Sequence, residues 1–207
     1  MIYFSGQRFS SKLKTIFIAA RPWSFSASIT STFLGFLLAW RDTGAINTTQ
    51  AFFTTATILF IHSAGNLVNT YYDFANGFDT EDSDDKTLVR KELTPNEVVA
   101  CVVEFYILGL VSFLVIYLHA HVNNVPLVVL FLIGVLSSFI YTGAIGLKYI
   151  ASGDILILLT FGFLTTVFAY FVQTGEVSVR IISYALPLAL HTEIGRASCR
   201  ERVYVLV

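Results

Sequence analysis

The run Asn69-Thr-Tyr-Tyr-Asp73-Phe-Ala-Asn-Gly77-Phe-Asp79 closes a long apolar stretch and opens a loop rich in carboxylates. On a helix, Asn69 and Asp73 are four residues apart and share one face, one turn above the other. Gly77 is a good helix-ending residue, because it takes the left-handed backbone without a Cβ penalty. Beyond it the chain can fold back and bring Asp79 to the same point. Asn69, Asp73 and Asp79 offer hard oxygen donors that match Mg2+, which uses one or two carboxylates and fills its octahedron with water and phosphate oxygens. The following residues, 80–91, set carboxylates beside Lys86, Arg90 and Lys91. A diphosphate site needs that mixture, with metal ligands on one side and direct phosphate donors on the other. The acidic run Glu81–Asp85, taken alone, reads as a solvated loop. Its place directly after the Asn-x-x-x-Asp-x-x-x-Gly-x-Asp pattern at the end of a span favours the site.

Neighbouring polar residues carry two readings each. Asn66 lies three residues before Asn69 and faces nearly the same way, so contact with a ring substrate or with the metal's surroundings stands beside plain packing. Tyr71 and Tyr72 offer aromatic faces that stabilise cations. Tyrosine is also enriched at membrane interfaces whatever the function, and that reading is the stronger one. His62 and Ser63, inside the same run, read as packing residues with an intramembrane hydrogen bond from the histidine. Asp154 reads as a favourable charge near a helix N-terminus, with support of the site as the alternative.

The elements that must position these residues are membrane helices. The chain is 55% hydrophobic and 13% charged, against about 25% charged in a soluble domain. About 20 apolar residues cross the hydrocarbon core as a helix, and candidates fall near residues 24–40, 51–72, 97–119, 125–142 and 151–172, with a sixth beginning near Ile181. The fold class is therefore all-α, a polytopic transmembrane helical bundle of about five to six spans. A β-barrel would need alternating segments instead. Lys and Arg collect in the gaps between runs. Arg8, Lys12, Lys14, Arg21, Lys86, Arg90, Lys91 and Lys148 fall on one side, and Arg41 and Arg180 on the other. The positive-inside rule then places the N-terminus and the acidic loop in the cytosol.

No basic stripe exists that would track a phosphate backbone, which excludes a nucleic-acid partner. Cys101 and Cys199 stand in unrelated contexts, so neither a disulfide framework nor a zinc spacing is present. Residues 1–20 read as a basic cytosolic arm; the apolar stretch Ile16–Ala20 is too short for a signal-peptide core. Pro22 and Pro95 suit helix N-termini, with Thr94 as N-cap and Glu97 completing a capping box. Residues 193–207 differ in charge density from everything upstream. They resemble the translated read-through of a sequencing adapter and are set aside as a non-native tail.

The segments Arg21-Pro-Trp-Ser24, Gly65-Asn-Leu-Val-Asn-Thr-Tyr-Tyr-Asp73, Ser83-Asp-Asp-Lys-Thr-Leu-Val89, Tyr141-Thr-Gly-Ala-Ile-Gly-Leu-Lys148-Tyr-Ile-Ala-Ser-Gly-Asp154 and Val172-Gln-Thr-Gly175 resemble the UbiA superfamily of intramembrane aromatic prenyltransferases, in its animal menaquinone-forming branch. The resemblance covers residues 19–192, so that 21–192 reads as a partial prenyltransferase domain. It implies a helical bundle of about nine spans in the complete family, around a cavity capped on the cytosolic side. The implied reaction moves a polyprenyl group, geranylgeranyl by preference, from its diphosphate to a naphthoquinone-type ring, giving a menaquinone (vitamin K2). Mg2+ at the first acidic motif would stabilise the departing diphosphate. Lys86, Arg90 and Lys148 would hold diphosphate oxygens, Lys148 matching a family basic position, and Tyr141 would place a hydroxyl near the leaving group.

The implied partners are the polyprenyl diphosphate, an aromatic quinone and the lipid bilayer. The implied location is the endoplasmic reticulum or Golgi, with a mitochondrial one kept open by the basic N-terminus. Three departures stand out. Phe163 occupies a position where proline is expected, Lys86 one where arginine is frequent, and the second Asp-rich motif, due shortly after Thr192, does not follow. The 207 residues as given are therefore expected to be inactive alone. Two other function classes compete: a non-catalytic membrane protein that binds prenyl lipid or a sterol-pathway membrane protein, and a cation transporter with an acidic mouth. The transporter leaves the Arg-Pro-Trp-Ser and Tyr141–Lys148 segments unexplained.

Overall fold

The computed structural model describes residues 6–83, 85–143, 146–149 and 152–191. Helix α1 (Gly6–Ala19) leads through a 3-10 turn (Pro22–Ser24) into α2 (Phe25–Thr43), followed by α3 (Thr48–Ala75), α4 (Pro95–His119) and α5 (Asn124–Ile140). A short turn (Leu147–Tyr149) precedes α6 (Ser152–Ile157), which passes without a break into a π-helical stretch (Leu158–Leu164) and then α7 (Thr165–Thr174). Helix α8 (Val179–His191) closes the described part. Three helices, Thr48–Ala75, Pro95–His119 and the continuous Gly153–Thr174, are long and apolar enough to cross a membrane. No strand occurs among the described residues. The fold is an all-α membrane bundle.

Its distribution of polarity is inverted relative to a soluble protein. Phe33, Phe52, Val111, Leu118, Leu136 and Ile155 are exposed, while Ser28, Thr32, Thr54, His62, Asn69, Thr70, Asp73 and Thr166 are buried. Lipid tails are as apolar as leucine, so helices in a bilayer associate through close packing and interhelical hydrogen bonds. Helices α2 and α7 show both: Thr166 Oγ1 donates to the Ser31 carbonyl at 3.1 Å, beside a buried Ala169.

The turn chemistry anticipated for α4 is present. Thr94 Oγ1 accepts from Glu97 N, and the Glu97 carboxylate accepts from Thr94 N at 2.8 Å. From Gly6 onward the basic N-terminal segment is helical. Helix α1 docks through Ile16 and Ala19 on a cluster of Leu67, Leu88, Leu93, Val98 and Cys101, and Lys12 pairs with Glu97. In the fifth span, Phe163 sits inside the π-helical stretch, so the helix departs from α geometry there without a proline. The suspected tail, 193–207, lies outside the described residues.

Candidate functional site

Helix α3 carries the site at its C-terminal end. Asn69 and Asp73, one turn apart on the same face, are each only 4% exposed. Asn69 Oδ1 accepts hydrogen bonds from Thr142 Oγ1 at 2.9 Å and from Lys148 Nζ at 2.7 Å. Lys148 also forms an ion pair with Asp73 Oδ2. One ammonium thus bridges the amide and the carboxylate expected to bind metal, whereas the sequence reading assigned Lys148 to diphosphate oxygens. The loop carrying it is closed by Lys148 N donating to the Tyr141 carbonyl at 2.7 Å. Gly153 presses on that loop: a Cβ there would meet Leu147 O at 2.6 Å and Lys148 Cα at 2.9 Å. Half-buried Tyr141 thus acts on Lys148 through its backbone. Burial pushes the Lys148 ammonium below the usual lysine range, and Asp73 opposes that shift.

Helix α3 ends at Ala75, and Gly77 adopts φ +73°. The chain then folds back, with Phe78 N and Asp79 N donating to the Asp73 carbonyl at 2.9 and 3.4 Å. Asp79 therefore returns to the end of α3. Its carboxyl is pushed up to about 6, first by burial and then by the Asp73 and Asp85 carboxylates, with Arg21 and Lys148 acting in the other direction. Three carboxylates and two cations share one field.

A second cluster adjoins the first. Asp85 Oδ2 accepts from Thr70 Oγ1 at 2.5 Å and faces Arg21 Nη2 at 3.4 Å, while Asp85 Oδ1 accepts from Thr87 N at 3.0 Å. Burial pushes the Asp85 carboxyl up, but the Thr70 and Thr87 donors and Arg21 outweigh it, leaving the carboxyl below the usual range. Arg21, Trp23, Asp85, Lys86 and Arg90 line a cavity of about 200 Å3. Lys86 and Arg90 thus border the Arg21 cluster, and Arg90 also faces Glu81 at 3.4 Å on the surface. Sequence reasoning named Arg21 for topology and within a motif, not as a site residue, and did not single out Asp85, Thr70 or Thr142. The available signal was a hydroxyl beside two residues expected in the site, Thr70 after Asn69 and Thr142 after Tyr141.

Asn66 and Tyr72 are each held by protein neighbours. Asn66 does not turn to the Asn69 side: its Nδ2 donates to the Ala20 carbonyl at 2.8 Å and to Ser24 Oγ at 3.1 Å. Its amide N–H groups tie the α1–α2 connection. Tyr72 packs edge-on against Tyr71 at 5.3 Å and faces Phe139 at 6.4 Å, bordering the Gly143 backbone. It sits between the end of α3 and the loop that bears Lys148.

The donor chemistry fits Mg2+. Asn69 Oδ1 and Asp73 Oδ2 already converge on a single cation, the Lys148 ammonium, and Asp79 returns to the same end of the helix. Among the described residues no three His, Cys, Asp or Glu side chains form a ready-made cage. Mg2+ needs no such cage when water and phosphate complete its shell. Residues Asn69, Asp73 and Asp79 would hold it.

Residues 28–194 match the family model of the UbiA prenyltransferase family. The chain is 45% identical over 182 residues to UbiA prenyltransferase domain-containing protein 1 of Mus musculus, covering 88% of this chain and 54% of the relative. It is 44% identical to the Homo sapiens protein of that name, with the same coverage. To the Drosophila melanogaster homolog it is 45% identical, over 88% of this chain and 51% of the relative. The chain spans about half the length of the curated relatives it matches. A helical membrane bundle with a cation-bridged amide and carboxylate at one helix end, matched by a family model over most of its length, belongs to the UbiA prenyltransferase family.

Proposed function

We propose that this chain forms the first-motif half of a Mg2+-dependent prenyltransferase, which moves a geranylgeranyl group from its diphosphate to a naphthoquinone-type ring in menaquinone synthesis. The observation that carries the reading is the convergence of Asn69, Asp73 and Lys148. Mg2+ supplies positive charge where the departing diphosphate becomes more negative. Asn69, Asp73 and Asp79 supply oxygens for that ion. Lys148, Lys86 and Arg90 donate to phosphate oxygens. The allylic C1–O bond breaks with its electron pair going to the departing diphosphate, a ring carbon bonds to C1, and that carbon gives up its proton to the diphosphate or to water. Tyr72 borders the carbocation with its ring face, and Tyr141 fixes the Lys148 loop. Endoplasmic reticulum or Golgi membranes are the proposed location.

A prenylation assay on the full reading frame containing these residues, with geranylgeranyl diphosphate, a naphthoquinol and Mg2+, tests the reading. Asp73→Asn is expected to abolish product. Turnover that persists in Asp73→Asn refutes the metal role. Prenyl-lipid binding without any turnover or Mg2+ dependence would favour a non-catalytic lipid-binding protein.

A further inference from the structure

Arg21 holds φ 54° and ψ 60°, a left-handed conformation that a non-glycine residue keeps only where its surroundings over-determine it. Those surroundings are specific. Arg21 N donates to Ile18 O at 2.9 Å, and the Arg21 carbonyl accepts from Ser24 N at 2.9 Å and Ser24 Oγ at 2.7 Å. The Ala20 carbonyl accepts from Asn66 Nδ2 at 2.8 Å. Ser24 Oγ is the node of the set. It also receives Asn66 Nδ2 and faces His62 Nε2, each at 3.1 Å.

A serine hydroxyl has one proton and two lone pairs. Its proton goes to the Arg21 carbonyl, which has none to give, and one lone pair takes the Asn66 amide. The remaining contact must be a donation from His62 Nε2–H. At the opposite ring nitrogen, Ser28 Oγ lies 2.7 Å from His62 Nδ1 and can donate to it. His62 is thereby assigned the Nε2–H tautomer, buried at 8% exposure with Phe25 and Phe161 against its ring.

We propose that His62 is a positioning residue: through Ser24 it holds the left-handed turn at Arg21, and so places the Arg21 guanidinium on Asp85. Asp85 in turn binds Thr70, the residue next to Asn69. The histidine thus orients the cation at the rim of the site while touching neither the acidic motif nor the cavity beside it. Its bearing on catalysis rests on the prenyltransfer reading above; the positioning does not.

A stability double-mutant cycle on the chain in lipid nanodiscs tests this. His62 and Asp85 share no hydrogen bond among the described residues and are linked through Ser24 and Arg21. His62→Leu and Asp85→Asn each lower Tm, and the double variant falls by less than the two drops combined, because both break one linkage. His62→Gln, whose amide N–H can donate to Ser24, keeps most of the wild-type Tm. Additive drops overturn the proposal, since a histidine that only packs has no reason to couple to Asp85. If His62→Leu does not fold, Ser24→Ala removes the same node and enters the cycle with the same expected non-additivity. In a binding assay with geranylgeranyl diphosphate and Mg2+, His62→Leu and Arg21→Ala lose affinity to a similar degree, and their combination loses no more. Independent losses overturn the proposal. A coupled Tm cycle together with a full reading frame that binds no prenyl diphosphate would defeat the prenyltransfer reading and leave the positioning role standing.

Discussion

The two ends of α3 are held by different kinds of polar contact. At the N-terminal end, Asn47 Oδ1 caps the helix by accepting from Gln50 N at 3.0 Å, and Gln173 bridges the Asn47 backbone at 2.9 and 3.2 Å. Close by, at the C-terminal end of α2, Arg41 pairs with its neighbour Asp42 at 2.8 Å, with side chains 43% and 27% exposed. These contacts are wet and mostly close loops. At the C-terminal end, the Lys148 and Asp73 side chains are 24% and 6% exposed, and the partners come from segments 75 residues apart. Burying charge costs several kcal/mol per ion before pairing repays it, and an apolar replacement of a buried pair is often as stable. Stability alone gives no reason to keep Asn, Asp and Lys together in such a place, which supports the proposal that they bind a ligand, whereas the exposed end needs only to stay closed.

The sharpest way to break this contrast is Asp73→Asn. It strips the carboxylate from a half-buried ammonium, and losing one partner of a buried pair costs about 3–5 kcal/mol. The expected outcome is a large fall in Tm in nanodiscs and loss of prenyl transfer; an unchanged Tm would show that the pair is idle. Next comes Lys148→Met. With the ammonium gone from Asn69 and Asp73, Mg2+ affinity measured without substrate, for instance by Mn2+ competition, is expected to rise while prenyl diphosphate affinity falls. Weaker metal binding in the variant would show that the ammonium does not stand in the cation's place.

Smaller effects sharpen the same comparison. Thr142→Val removes one neutral donor to Asn69 and is expected to cost about 0.5–1.5 kcal/mol, readable in thermal unfolding. Asp42→Asn at the far end is expected to shift Tm least of all and to leave Mg2+ and prenyl diphosphate affinity untouched. A loss of affinity in that variant would mean the two ends are coupled.

Local chemistry was legible in the sequence, and tertiary pairing was not. The shared face of Asn69 and Asp73 follows from helical period, the reversal at Gly77 from its freedom at positive φ, and the Thr94–Glu97 box from spacing alone. The six expected spans fall on helices from α2 to α8, with α6, the π stretch and α7 forming one, and three of these helices are long and apolar enough to cross a membrane. Lys148 was singled out as a cation, yet its seat on Asn69 and Asp73 depends on a loop fold set by Tyr141 and Gly153, which no spacing reveals. Two readings were open for Asn66, and its observed partners are protein groups. Its helical direction allowed the Asn69 side, but the unsatisfied Ala20 carbonyl at the end of α1 claims its amide. The Arg21–Asp85 pair joins residues on either side of two helices, with an arginine in a conformation that sequence gives no cause to expect. Phe163 pointed to a missing kink, and the π-helical stretch shows that backbone irregularity there does not need proline.

The central claim is that the Asn69, Asp73 and Lys148 cluster binds a diphosphate with Mg2+. The direct measurement is equilibrium binding of geranylgeranyl diphosphate to the full reading frame containing these residues, in nanodiscs, with Mg2+ and with EDTA, for wild type and Asp73→Asn. The account predicts binding that needs Mg2+ and disappears in Asp73→Asn. Equal binding under all four conditions would contradict it.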